Sequence, residues 1–250
     1  MSQGRKDIIF DAPDFVFKPP SLVSRARRVL IKPNAGHSMP YPISTSRETM
    51  NMIIESIKQV SDADIIILEG TQNGESIYPI YQALGYDFPR VLMLDVRDCI
   101  WVEVENPLPH PFVVPTFWVP NVVLSSDYLI SVAPFKIVGG SGYFSVSNLL
   151  SLLPVSKYRG DASGGWGALY ELDIDKVIAD LYFTLPFDLG VVDARQKFVG
   201  PENSSQGRVE EYGKIFAGEP YDVDREAAQA SGAAASYLTL IEAGKAELEA

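Results

Sequence analysis

The chain has 250 residues, 46% of them hydrophobic, and 32 acidic against 21 basic side chains give a formal net charge of −11. That length fits one large domain or two small ones, and the acidic balance opposes the electrostatic footprint of a nucleic-acid binder. The single cysteine, Cys99, excludes an intrachain disulfide, a CxxC pair and an iron–sulfur cluster encoded by this chain.

The opening MSQGRKDIIFDAPDF has neither a long apolar stretch nor a small-residue cleavage site, and no later apolar run is long enough for a membrane span. A soluble cytoplasmic protein is the expectation. The dense basic group Arg25, Arg27 and Arg28 reads as a solvated lead-in to a strand.

The first strand is RVLIKP, Arg28 to Pro33, closed by a proline and followed by polar Asn34, Gly36 and His37. Met50, Ile53, Ile54, Ile57 and Val60 then recur at helical spacing, with Thr45 and Glu48 expected to form a capping box. DIIIL, Asp64 to Leu68, is short and uniformly apolar, as a buried strand is, and ends at Glu69 and Gly70. Strand, helix and strand in this order predict a right-handed βαβ unit. A weaker helix over Ile77 to Leu84 leads to VLMLDV, IWVEVE and FVVPTFWVP. Residues 90–120 are therefore expected to be largely antiparallel, as a subdomain or insertion. Cys99 is expected to pack in a strand.

YLISVA, Tyr128 to Ala133, returns to the fully apolar style, ending at Lys136, with a glycine turn and a helix over Tyr143 to Leu153 after it. Ser163 to Gly167 reads as a mobile loop in which Trp166 can cover a ligand. Ile174, Val177, Ile178 and Leu181 mark another helix, Leu189 to Val192 another strand, and Gly200 to Gly207 a long polar loop. From Asp224, placed as an N-cap, the alanine-rich end reads as a helix. The expected fold is a single α/β domain over residues 1–250, with a mixed, mainly parallel sheet flanked by helices.

In an open α/β sheet, ligands bind beyond the carboxyl ends of the parallel strands, where loops and helix N-termini converge. Here those ends deliver Lys32, Asn34 and His37, then Glu69, then Lys136, then Asp193. The glycines Gly139, Gly140 and Gly142 after Lys136 fit neither nucleotide fingerprint. A P-loop needs its lysine after the glycines, and Ser145 stands where a dinucleotide motif has its third glycine. What remains is a lysine and a glycine turn suited to a phosphate or carboxylate. Two isolated histidines, His37 and His110, give no zinc pattern, while a divalent metal on Glu69, Asp193 or Asp224 stays open. No GxSxG occurs.

KPN at Lys32 to Asn34, SDYLISVAPFK at Ser126 to Lys136, SNLL at Ser147 to Leu150, VIADL, LGVVDA and GEPYDVDREAA follow one another over four fifths of the chain. In that order they resemble the family called domain of unknown function 362. The resemblance implies an α/β fold and, in many relatives, an attached ferredoxin-like module with redox roles. This chain has no such module's cysteines, so electron transfer would need a partner protein. Relatives tend to carry Thr and His after the lysine matching Lys136 and a lysine before the asparagine matching Asn148. Here those positions hold Ile137, Val138 and Ser147.

Two readings follow. In the first, the chain binds or transforms a small anionic metabolite: Lys32, Asn34, His37, Gly139, Gly140, Gly142 and Asn148 bind it, and Glu69, Asp193 or Lys136 supplies acid–base or nucleophilic chemistry. In the second, it is a non-catalytic accessory protein for a redox or metabolic partner, with self-association also open.

Overall fold

The computed structural model describes residues 8–160, 165–185, 187–201 and 206–249. The polar loop expected over Gly200 to Gly207 and the loop expected over Ser163 to Gly167 lie partly outside these. The chain runs β1 (Ile9–Asp11), β2 (Arg28–Lys32), α1 (Arg47–Val60), β3 (Asp64–Glu69), α2 (Tyr78–Ala83) and β4 (Val91–Asp95). It continues through β5 (Trp101–Glu105), β6 (Thr116–Pro120), α3 (Asn121–Leu124), β7 (Tyr128–Val138) and β8 (Ser141–Tyr143). Then come α4 (Gly167–Tyr170), α5 (Ile174–Thr184), β9 (Leu189–Gly200), β10 (Arg208–Gly218), α6 (Pro220–Ser231) and α7 (Ser236–Leu248).

The sheet is α/β and mixed, in the order β1-β10-β9-β7-β2-β3-β4 with β8 attached to β7. The five strands from β9 to β4 are parallel, and β10, β1 and β8 add antiparallel pairs. Lines of β-branched and leucine residues make β2, β3 and β7 buried on both faces, as parallel strands covered by crossovers must be. One face packs Val29, Ile31, Ile65 and Ile67 against the Met50, Ile53, Ile54 and Ile57 stripe of α1 and against Tyr81 of α2. On the other, Leu30 and Leu68 meet Leu149 and Leu152 of a 3-10 segment and Leu181 of α5. α6 and α7 close a third cluster over Val192, Phe135 and Phe216.

Connections from β2 run through α1 to β3 and through α2 to β4, all toward one edge, whereas β7 leads to β9 on the opposite side. The direction reverses between β2 and β7, which is the topological switch point where open α/β sheets hold ligands.

Several expectations shift. Antiparallel pairing in the middle of the chain is confined to β5 and β6, because VLMLD pairs parallel with β3 as the edge strand β4. Cys99 sits between strands, with its thiol donating to Asp95 O at 3.4 Å. The N-cap of α1 is Ser46, whose Oγ accepts from Thr49 N, one residue past the expected Thr45. Thr45 is instead a brace between β2 and β7. In place of a helix from Tyr143, β8 pairs back on β7 and a 3-10 segment, Ser147–Leu152, follows.

Trp166 is buried and donates from Nε1 to Leu153 O at 2.9 Å, so it is core and no lid. The end of the chain is two helices rather than one. Glu219 caps α6, with Pro220 at its first position, and Gly232 at φ +68° ends it. Asp224 is no cap: buried inside α6, it accepts from Ser145 N, Ser145 Oγ, Val146 N and Tyr237 Oη.

Candidate functional site

At the switch point the backbone of β2 parts from that of β7, and polar side chains fill the split from both sides. From the α1 face, Thr45 Oγ1 donates to Val132 O at 2.7 Å and accepts from Asn34 N at 2.8 Å. From the 3-10 segment on the other face, Asn148 Nδ2 donates to Lys32 O at 3.2 Å and Ser131 Oγ at 3.1 Å. Asn148 Oδ1 in turn accepts from Lys32 Nζ at 3.2 Å and Asn34 Nδ2 at 3.0 Å. One asparagine thus ties the ends of both strands to the residues that follow β2.

Beneath it lies an ion pair with no solvent exposure on either side chain. Lys32 Nζ is 2.9 Å from each oxygen of Glu69 and donates also to Pro33 O. Glu69, at the end of β3, further accepts from Ala35 N at 2.7 Å, Gly70 N at 2.9 Å and Ser151 Oγ at 2.5 Å. The carboxylate therefore has its lone pairs filled, which is the condition under which a buried ion pair is tolerated. Burial pushes the Lys32 ammonium below its ordinary proton affinity, and Glu69 pulls it back.

Lys136 completes the group in a way its position in the sequence conceals. β7 does not stop there but runs on to Val138, past the end of β2, which pairs only as far as Ser131. From this overhang Lys136 Nζ donates to Asn34 Oδ1 at 2.9 Å, its one hydrogen bond among the described residues. An ammonium has three donors, so two remain unspent. Burial lowers its pKa to about 8; Glu69 opposes the shift and the neighbouring Lys32 adds to it. Two ammonium groups against one carboxylate leave the cluster with one excess positive charge. The His37 ring, on the loop after β2, is partly enclosed although the residue reaches solvent. That enclosure and Lys136 lower its pKa against the pull of Glu69, which favours the neutral imidazole near neutral pH.

The remaining residues proposed from sequence lie apart from this group. Asp193 is buried on β9, where it accepts from Arg195 Nε at 3.0 Å, Arg195 Nη2 at 2.8 Å, Thr49 Oγ1 at 2.6 Å and Tyr41 Oη at 3.0 Å. Burial would raise its pKa, but the hydrogen bonds and charge of Arg195, with Thr49, bring it below the ordinary value. It is a fully engaged anion at the first turn of α1 and makes no contact with Lys32, Glu69 or Lys136 in the described residues. Gly139 and Gly140, at φ +58° and +85°, form the two-residue turn of the β7–β8 hairpin, the task for which glycine is selected. The amide of Gly139 donates to Gly200 O and that of Gly142 to Ala234 O, so the turn does not offer them to an anion. Gly142 is glycine because a Cβ there would stand 2.4 Å from the Phe144 ring.

Sequence reasoning missed Ser151, the amide of Ala35 and Thr45 as partners of the cluster. The spacing from Asn148 to Ser151 is one helical turn, which is the signal that could have flagged the serine. Among the described residues no three His, Cys, Asp or Glu side chains are grouped to hold a metal ion, and no helix is long and apolar enough to cross a membrane.

Comparison with known proteins fits this layout. The family described as domain of unknown function (DUF362) matches residues 29–229, from the start of β2 into α6. The chain belongs to the DUF362 family. The matched span takes in Lys32, Asn34, Glu69, Lys136 and Asn148 together. No curated protein matches the chain. Among solved structures, the DUF362 chain is similar to the lactate racemase apoprotein from Thermoanaerobacterium thermosaccharolyticum. The identity is 13% and the TM-score 0.56, over 88% of this chain and 53% of the racemase chain. The likeness is one of fold, and this chain spans about half the length of that protein.

Proposed function

We propose that this protein binds a small carboxylate metabolite at the β2–β7 switch point, and that Lys136 is the group that receives the anion. The observation that carries the reading is the half-buried Lys136 ammonium, held by a single acceptor among the described residues beside the buried Lys32–Glu69 pair, in a cluster with an excess positive charge. An anion placed there would take up both unspent donors and cancel the charge, with Asn34, itself held by Asn148, fixing the direction of the ammonium. Lys32 and Glu69 form the rigid floor rather than a reactive pair, since every strong hydrogen-bonding position on Glu69 is filled. With Lys136 committed to the carboxylate, the histidine held toward the neutral form is the proton acceptor for chemistry at the carbon next to it. The fold likeness to a lactate racemase supports a hydroxy acid as the first class to try.

The test is thermal stabilisation of the wild-type chain by a panel of 2-hydroxy, 2-oxo and simple carboxylic acids, with Lys136→Met as the comparison. The proposal expects concentration-dependent stabilisation by at least one acid and its loss in Lys136→Met. Equal stabilisation of both proteins would remove Lys136 from the site.

A further inference from the structure

On the α1 face, away from Lys136, a cavity of about 490 Å³ opens between the start of α1, the turn after β1, and strands β9 and β10. The geometry points to a second binding site there, for an organic cation: a primary ammonium carried on a short apolar body.

The space exists because β10 is kinked. Its register against β9 shifts between Glu211 and Lys214, and Gly213 sits in the bulge at φ +74° with nothing within 4 Å of a Cβ built on it. The bulge bends the strand at the cavity wall, and Gly213 puts no side chain into the gap. A volume of that order lies in the range of small-molecule pockets, which run from about 300 to 1,000 Å³. Phe15, Met52 and Ile215 give it an apolar floor.

Charge decides the sign of the ligand. Arg195 lines the wall, but its guanidinium is spent on Asp193, Ser46, Thr49 and Glu48, and it lies over the Tyr41 ring. Arg195 and the buried Asp193 cancel. Two further carboxylates, Glu48 and Glu211, then face the opening, and the one cation lining it among the described residues is Arg195, shared between Asp193 and Glu48. Glu48 touches only the already neutralised Arg195 and has a side chain 80% exposed, and Glu211 accepts from the neutral Gln196 Nε2 at 2.6 Å. Of the other cations on β9 and β10, Lys214 pairs with Asp11 while Lys197 and Arg208 share Glu210, and none of the three lines the cavity. An apolar floor under a rim where Asp193, Glu48 and Glu211 outnumber the single Arg195 attracts an ammonium with a hydrocarbon tail and repels a carboxylate or phosphate.

Titration calorimetry of the full chain with hexylamine tests this, with hexan-1-ol as the uncharged body and Glu48→Gln/Glu211→Gln as the variant. The expected result is saturable hexylamine binding that weakens as salt is raised, at least tenfold weaker in the double variant, and no comparable binding of the alcohol. Because neither glutamate contacts the Lys136 cluster, hexylamine affinity is expected to be the same in Lys136→Met, which separates this site from the anion site. Absence of saturable binding, equal binding of the alcohol, or an unchanged affinity in the folded double variant would overturn the assignment.

Discussion

Replacing Glu69 by Gln keeps the shape of the side chain and removes the charge that Lys32 depends on. In the native protein Lys32 Nζ sits 2.9 Å from both carboxylate oxygens with neither side chain exposed, so no water can substitute. The amide has one oxygen and one donor in place of two acceptors. Ala35 N, Gly70 N and Ser151 Oγ then compete for a single oxygen while the new NH2 faces donors. Removing one partner of a buried pair costs about 3–5 kcal/mol. For a chain of this length each kcal/mol shifts the melting temperature by about 2–4 °C, so the expected fall is about 6–20 °C. Thermal unfolding followed by circular dichroism gives the number directly. The double variant Lys32→Met/Glu69→Gln is expected to be less destabilised than the two single effects summed, because the second substitution removes the charge the first strands. A Glu69→Gln melt within about 3 °C of wild type, or strict additivity in the double variant, would refute the description of this pair as a closed, fully satisfied floor.

Other consequences follow from the same geometry. Lys136 has a native pKa of about 8 against an ordinary 10.5, so the unfolded chain binds more protons between those values and stability contributed by this group rises with pH across that window. The gain in stability from Lys136→Met is therefore expected to be largest below pH 8 and to shrink toward pH 10.5, read from denaturant midpoints at matched pH. Asp224→Ala strips the acceptor from Ser145 N, Val146 N and Tyr237 Oη, which anchor the segment leading to Asn148. A loss of about 3 kcal/mol or more is expected from these stranded donors, and hydrogen exchange at residues 145–148 should speed up more than at α1. Gly142→Ala forces a Cβ to 2.4 Å from Phe144 and should cost about 1–3 kcal/mol by urea denaturation, with the hairpin intact by amide shifts.

What could be read from the chain was set by local signals. Uniformly apolar runs marked the parallel strands, and the residues just past them, Lys32, Asn34 and Glu69, were in view because a buried strand must surface where ligands bind. Asn148 entered through the family resemblance and proved to bridge both strands of the switch point. The pairing of Asp193 with Thr49 and Tyr41 was not legible, since partners some 150 residues apart are chosen by packing and leave no periodicity. The glycine turn misled for a related reason. Gly139 and Gly140 satisfy a hairpin and Gly142 a close approach to Phe144, demands that produce the same letters as an anion loop. The length of β7 was hidden because its alternation changes at Pro134, where the register against β9 slips, so that Lys136 reads as a strand end while lying on an overhang. Asp224 looked like a cap in its alanine-rich setting, whereas the Glu219–Pro220 pair carried the true helix start.

The central claim is that the Lys136 ammonium receives a carboxylate, and its proton affinity reports this most directly. Lysine side-chain NMR, with the Lys136 signal assigned by its absence from Lys136→Met, can follow the titration of that one amine with and without lactate. An anion bound beside the ammonium stabilises its charged form, so the account predicts a pKa near 8 in the free protein that rises when lactate is added. A Lys136 titration that is the same with and without saturating lactate, and with every other carboxylate of the panel, would contradict it.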